Sequence, residues 1–224
     1  MAKRTTKRGK GKGSSGRVRN VIRCAPHRVV GQVAWVKSIL ASVYWESRPE
    51  RNSIRIAHVD PRVLTVQDQP FTVRYRFIGK LHDYTPDLRF NCRSSRSIVE
   101  VKPFKDASST ENQDRFCEIA RVLAREEFDF NVWTETEYAK QPRLNNATYV
   151  LRYRNYPFEF STADAIQDLL DAEKDLAFTA IQKHLGPCVN KETLFALVCR
   201  GLVHIDCDLP FSPDPVFHRI PSDA

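Results

Sequence analysis

Between Tyr84 and Pro103 the chain reads YTPDLRF, a short polar link, then SIVEVKP, and this alternation constrains the fold more than any other stretch. In a strand, residues i and i+2 share a face. Val99 and Val101 therefore point into apolar packing, while Glu100 and Lys102 project together from the opposite face. Leu88 and Phe90 form the apolar side of the preceding run, which sets Asp87 on the other side with Arg89. The link from Asn91 to Ser97 is short and polar, as an antiparallel connection requires. Folding it over brings Asp87 close to Glu100 across the pair. Two facing carboxylates repel unless a cation lies between them, and hard oxygen ligands select Mg²⁺, with Mn²⁺ as substitute. Lys102 then stands beside the ion, within reach of a phosphate oxygen or an attacking water. This is the residue set that metal-dependent phosphodiester hydrolysis needs.

The flanking segments supply a frame for that pair. Gln32 to Val36 and Ile39 to Trp45 read as strands. Ser47-Arg48-Pro49-Glu50 reads as a helix start, with a serine N-cap, an early proline and glutamate at the third position. That helix runs to about His58 and stops at Asp60-Pro61. Val63 to Val66 and Phe71 to Phe77 read as strands. Phe116, Ile119, Ala120 and Leu123 recur at helical spacing, and Phe128 to Trp133 follows as a strand. The order is helix, three strands with the acids on the last two, helix, strand. Thr134 to Tyr149 reads as polar connection. Thr162 to Leu185 is helical with a break near Glu173-Lys174, and Asn190 to Arg200 is a further helix closed by Gly201. Leu202 to Ile205 and Val216 to Ile220 read as two short strands, which makes the C-terminus mostly helical and winged-helix-like.

Charge divides the chain differently. Of its 35 basic residues, eight lie within positions 1–19 without one acid, and the remainder balances at 27 of each sign. Interleaved glycine and serine keep that tail from folding alone. It reads as a basic arm, with Lys3, Arg4, Lys7, Arg8, Lys10 and Lys12 set to meet DNA phosphates in a salt-dependent way. The alternative is a merely solubilising end. Six cysteines without CxxC spacing read as reduced thiols, with neither a disulfide framework nor a zinc site. The chain has no apolar run of the roughly 18 to 20 residues that span a bilayer, and it reads as a soluble cytoplasmic protein. The expected division is a tail over 1–20, a catalytic domain over 21–158 and a C-terminal domain over 159–224.

The region from Trp45 to Thr134 resembles the PD-(D/E)xK nuclease superfamily, with Pro86-Asp87 and Glu100-Val101-Lys102 as its signature. That resemblance implies an α/β fold with a restriction-endonuclease-like αβββαβ core. A longer succession runs through Trp45-Glu46-Ser47-Arg48-Pro49-Glu50-Arg51, Asp60-Pro61-Arg62-Val63, Gln69-Pro70-Phe71, Tyr84-Thr85-Pro86-Asp87 and Val99-Glu100-Val101-Lys102-Pro103. It is similar to the TnsA endonucleases of heteromeric cut-and-paste transposons. The resemblance implies a bacterial enzyme that cuts the 5′, non-transferred strands at transposon ends. It would act on double-stranded DNA beside a TnsB-like transposase, with a TnsC-like AAA+ ATPase docked on its C-terminal domain. It further implies that Asp87, Glu100 and the helix-borne Glu50 hold Mg²⁺, with the Val101 carbonyl as a further ligand, and that Lys102 is the catalytic lysine. In some relatives of this kind glutamine stands at the place of Glu100.

Bland readings accompany each of these residues. Glu50 also fits a capping box, and Glu46 is its rival as the helix-borne acid. Gln69, 19 positions after Glu50 as in the family, reads as structural rather than as a ligand. Tyr149, Tyr153, Tyr156 and Phe158, interleaved with Arg152 and Arg154, fit a strand or a surface that stacks on bases or grips phosphates. For the whole chain, the competing functions are a stand-alone restriction or repair nuclease and a DNA-binding adaptor that no longer cuts.

Overall fold

The structure is a computed structural model that describes residues 29–37 and 42–220. The basic arm, including Lys3, Arg4, Lys7, Arg8, Lys10 and Lys12, lies outside the described residues, as does the segment 38–41. Strands β1 (Gly31–Ala34) and β2 (Ser42–Trp45) pair antiparallel, with Gly31 opposite Trp45. A Cβ at Gly31 would come within 2.5 Å of the Trp45 ring, so glycine is what lets the indole lie across the strand. Helix α1 (Arg48–Val59) begins where expected: the Ser47 hydroxyl accepts the Glu50 N–H at 3.2 Å, and Pro49 sits in the first turn. It ends at Asp60, ahead of Pro61.

Six strands and two helices follow: β3 (Val63–Asp68), β4 (Val73–Phe77), β5 (Lys80–Tyr84), β6 (Leu88–Cys92), β7 (Arg96–Val101), α2 (Phe104–Ala107), α3 (Thr110–Ala124) and β8 (Asp129–Trp133). Four of the strands make the central sheet in the order β3-β6-β7-β8. The first three neighbours run antiparallel, and β8 lies parallel to β7. Leu88 pairs with Val99. The helix, three strands, helix, strand order holds, with one correction. The Phe71–Phe77 segment gives no strand to this sheet. Instead β4 pairs with β5 in a hairpin of its own, closed by Ile78 and Gly79 at φ +47° and +72°. A positive φ at both turn residues is the mark of a tight two-residue hairpin. Lys80, His82 and Asp83 hide β5 from a periodicity search because four of its five residues are exposed.

The pleat sorts the side chains of β6 and β7 between two cores. Leu88, Phe90, Val99 and Val101 pack with Ile54 and Ala57 of α1 and with Trp35, Val43 and Trp45. Ile98 goes to the other side, where Phe116, Ile119 and Leu123 of α3 meet Tyr75 and Tyr84. Each such aliphatic side chain contributes roughly 1.5–3 kcal/mol of transfer free energy on burial. Glu100 shares the parity of Ile98 and so faces the α3 side.

A third core holds the C-terminal part from Arg143 onward, while Tyr138 of the preceding short helix packs in the core shared with α1. The elements after β8 are α4 (Glu135–Tyr138), α5 (Arg143–Val150), a 3-10 turn (Leu151–Tyr153), α6 (Phe160–Glu173), β9 (Asp175–Ala177), α7 (Phe178–Leu185), α8 (Lys191–Arg200) and β10 (Val216–His218). The break near Glu173-Lys174 is present: α6 stops at Glu173 and Lys174 takes φ +69°. Three readings need correction. Thr134 to Tyr149 is no plain connection, because a Thr134–Glu137 capping box starts α4 and α5 follows. Tyr149 to Tyr156 is helix and turn, not strand. Leu202 to Ile205 forms no strand either: His204 makes one isolated bridge to His218, and β10 pairs with β9. Helix α8 is buried from Thr193 through Cys199, and its core takes in Ala147, Val150 and Leu151 as well as Val59 of α1. Among the described residues no helix is long and apolar enough to cross a membrane.

Candidate active site

Asp87 stands one residue before β6, and Glu100 lies near the end of β7, so the antiparallel register sets them across from each other. The Asp87 carboxylate reaches the neighbouring backbone and accepts the Val101 N–H at 2.8 Å. The Glu100 side chain is only 4% exposed and is held from two sides. Its Oε2 accepts the Tyr84 hydroxyl at 2.7 Å, and its Oε1 meets Lys102 Nζ at 3.0 Å. Lys102 itself is anchored by its main chain, whose N–H donates to Trp133 O of β8 at 3.0 Å. Three of the four expected side chains are thus brought together by β6 and β7.

The electrostatics are those of crowded acids. Burial, and then the charge of Glu100, pushes the Asp87 carboxyl up to about 8, with Glu50 adding to the effect and the Val101 N–H and Lys102 opposing it. Burial also raises Glu50, reinforced by Glu46 and Glu100. Tyr84 is held well above the usual phenol range by burial and by the adjacent Glu100. For Lys102 burial disfavours the charge, but Glu100 and Asp87 together overcome it and raise its pKa. One ammonium serves several carboxylates, so the cluster lacks positive charge.

Glu50 is close enough to share in this coupling, but its oxygens have other work. Oε1 accepts the Ser47 hydroxyl at 2.8 Å and Oε2 accepts the Glu46 N–H at 2.8 Å. Glu50 thus braces the helix start, but it holds the N–H of Glu46 and not that of the N-cap Ser47, so the capping box considered for it is not closed. Its rival Glu46 accepts Gln69 Nε2 at 2.8 Å. Gln69 links the two acid neighbourhoods, since its N–H donates to Asp87 O at 3.0 Å. It takes φ +41°, a left-handed conformation that non-glycine residues adopt rarely. Its buried Oε1 has no hydrogen-bond donor. Buried acceptors are almost always paired, so this oxygen and the under-neutralised carboxylates register the same deficit of positive charge.

An all-oxygen set with unmet demand for a cation fits a hard divalent ion better than a thiophilic one. Among the described residues no three His, Cys, Asp or Glu side chains already converge as a ligand cage. The contacts above say why: Glu100 is gripped by Tyr84 and Lys102, and Glu50 by its cap. The five described cysteines are free thiols and take no part.

Tyr84 and Gln69 are the contributors that strand parity alone does not assign. Tyr84 ends β5, the strand hidden by its polar residues, so its approach to Glu100 follows from a hairpin the alternation does not reveal. Replacing Tyr84 by Phe should leave a buried carboxylate oxygen without its donor. The expected cost is about 1–3 kcal/mol, read as a lower urea midpoint at unchanged slope; an unaltered midpoint would deny the bond any weight.

Residues 60–135 match the family model described as TnsA-like endonuclease N terminal. No curated protein shows significant similarity to the chain. The matched segment runs from the end of α1 to the start of α4, and so contains Asp87, Glu100 and Lys102 but not Glu50. Residues 60–135, which carry the paired carboxylates and their lysine, are thus similar to the N-terminal part of TnsA-like endonucleases.

Proposed function

We propose that the protein is a metal-dependent DNA endonuclease subunit of a heteromeric cut-and-paste transposase, cutting the 5′, non-transferred strands at transposon ends. The observation that carries this reading is the Asp87–Glu100–Lys102 constellation inside a TnsA-like endonuclease segment. Asp87 and Glu100 would hold Mg²⁺ (Mn²⁺ as substitute), with the Val101 carbonyl as a further ligand and Glu50 as a supporting acid. When bound, the ion lowers the pKa of a water and offsets charge on the phosphate.

The remaining tasks fall to the chain. Tyr84 fixes the Glu100 carboxylate so that one of its oxygens stays aimed at the site. Lys102, charged and half-exposed beside Glu100, contacts a non-bridging phosphate oxygen and stabilises the charge that builds there. The Val101 N–H holds Asp87 in one orientation. Gln69 keeps Glu46 and the Asp87 backbone in register. Hydrolysis would leave a 5′-phosphate and a 3′-hydroxyl.

The partners follow from the same reading: a TnsB-like transposase for the 3′ ends, and a TnsC-like AAA+ ATPase on the C-terminal domain. We read that domain, α6-β9-α7-α8-β10 with the His204 bridge, as winged-helix-like. The basic arm at positions 1–19 would add phosphate contacts. A duplex carrying transposon ends, labelled separately on each strand and incubated with Mn²⁺ and the two partner proteins, tests the proposal. Cleavage confined to the 5′ strand is expected. Cleavage of both strands without partners would favour a stand-alone nuclease, and an intact duplex under all conditions would favour the non-cutting adaptor.

A further inference from the structure

Behind Glu50, the same helix builds a second charged feature. Arg51 and Arg55 lie four residues apart and therefore share one face of α1. Across from them stand Arg152 and Arg154, which belong to the 3-10 turn after α5 and the residue that closes it. Arg55, Arg152 and Arg154 line one cavity of about 240 Å³ with Gln32 and Thr148, and none of its lining residues is acidic. Arg51 lies over the Trp45 ring at 5.7 Å, and Arg152 over the Tyr149 ring at 5.7 Å.

These guanidiniums are only partly satisfied: Arg154 Nη1 donates to Leu151 O at 2.9 Å and Arg51 Nη2 to Asn52 Oδ1 at 3.3 Å. The Nε groups of Arg51 and Arg154 are buried without an acceptor. Burial and then the charges of Arg51 and Arg154 depress the Arg55 pKa. Like charges gathered around a cavity, with donors left over, destabilise the free protein and suit an anion with several acceptor oxygens. A planar guanidinium matches such a group better than an ammonium does.

We propose that Arg51, Arg55, Arg152 and Arg154 form a phosphate seat that holds the DNA strand a few nucleotides from the bond being cut. The proposal rests on the nuclease reading for the identity of its ligand. Placement supports a nucleic-acid backbone: α1 carries Glu50 at its start, and Arg55 lies about 7.5 Å further along the axis at 1.5 Å per residue. Five residues also turn the helix by about 140°, so that axial span, roughly two nucleotide steps at about 3.4 Å per phosphate on a strand, is the least a strand reaching both would cover. The seat would fix the register of the strand without reading bases.

The test uses the full chain, a labelled 30-base-pair duplex and EDTA, so that binding is read without cleavage. In Arg55→Gln/Arg152→Gln, affinity at 100 mM salt should fall about tenfold or more, and the slope of log K against log salt should flatten by about 1 to 2. Arg55→Lys/Arg152→Lys should recover the slope more fully than the affinity. A scan of single methylphosphonate linkages should find one or two positions that weaken the wild type and leave the glutamine variant unaffected. Removing Arg55 should also leave thermal stability equal or higher, since it relieves repulsion. If the double variant loses its fold, Arg152→Gln alone, at an exposed position, carries the same measurement. Unchanged affinity and slope, or a methylphosphonate pattern shared by variant and wild type, would overturn the seat. Should the wild type bind through it yet never cut with Mn²⁺ and partners, the nuclease reading falls and the seat stands.

Discussion

Asp87→Asn should abolish cleavage by about a thousandfold or more and, in metal-free buffer near pH 8, make the folded protein more stable. The two effects share one cause. The Asp87 carboxyl is pushed up to about 8 in the fold by burial and by Glu100, whereas an unfolded aspartate ionises near 3.9. Between those values the native state holds a proton that the unfolded chain has given up. Stability contributed by this proton is fully present below about pH 4 and is lost as pH rises towards 8. Asparagine stays neutral throughout and can still accept the Val101 N–H. The expected gain near pH 8 is on the order of 1–3 kcal/mol, seen by differential scanning calorimetry as a rise of several degrees. It should vanish near pH 4. Mn²⁺ should stabilise the wild type and not the variant, because a ligand of the native state shifts unfolding only where it binds. A variant that melts lower than wild type at pH 8 would show that Asp87 is not a suppressed charge.

Lys102→Ala should give a comparable loss of cleavage with the opposite effect on the fold. Lys102 is the ammonium that meets the buried Glu100 carboxylate, at 3.0 Å. Removing it strips a transition-state contact worth about 10²–10³ in rate and leaves a buried carboxylate with only Tyr84 for company. Breaking such a pair from one side costs up to about 3–5 kcal/mol in a fully buried setting, and less here because Lys102 is partly exposed. The chain should therefore unfold at lower urea near pH 8. DNA retention in a gel shift should persist, because the proposed seat of arginines does not include Lys102. Lys102→Arg should restore the stability and only part of the rate. Cleavage by the alanine variant at wild-type speed would falsify a chemical role for the lysine. Taken together, two inactive variants that move the melting point in opposite directions separate the acid from the base more sharply than activity alone.

The strand pair carrying Asp87 and Glu100 was legible because its alternation is uninterrupted and its apolar face, Leu88, Phe90, Val99 and Val101, is buried, so parity alone decides where each side chain goes. Ser47, Pro49 and Glu50 gave the start of α1 for a similar reason, since capping chemistry is local. What stayed hidden depends on contacts between distant parts of the chain. Helix α5 includes Asn145, Asn146 and Thr148, which carry little helical preference, and Asn146 is tied down by bonds to Cys207 O and Leu209 O at 3.0 and 2.7 Å. Strand β10 pairs with β9 and meets the Leu202–Ile205 segment only at the His204–His218 bridge, with Phe217 packed into the C-terminal core. Tyr84 reached Glu100 through a hairpin of polar residues that no periodicity marks. Glu50 was legible twice, as cap and as acid, and the contacts tie it to the Ser47 hydroxyl and the Glu46 N–H.

Helix α8 has spent its side chains on the interior, from Thr193 to Cys199. A residue sealed in hydrocarbon cannot touch the edge of a base pair. Under the winged-helix reading this is the helix that would slide into a DNA groove, and here it serves as a beam on which the catalytic half leans through Val59. Under that reading, any preference for a DNA sequence has to come from surfaces other than this helix.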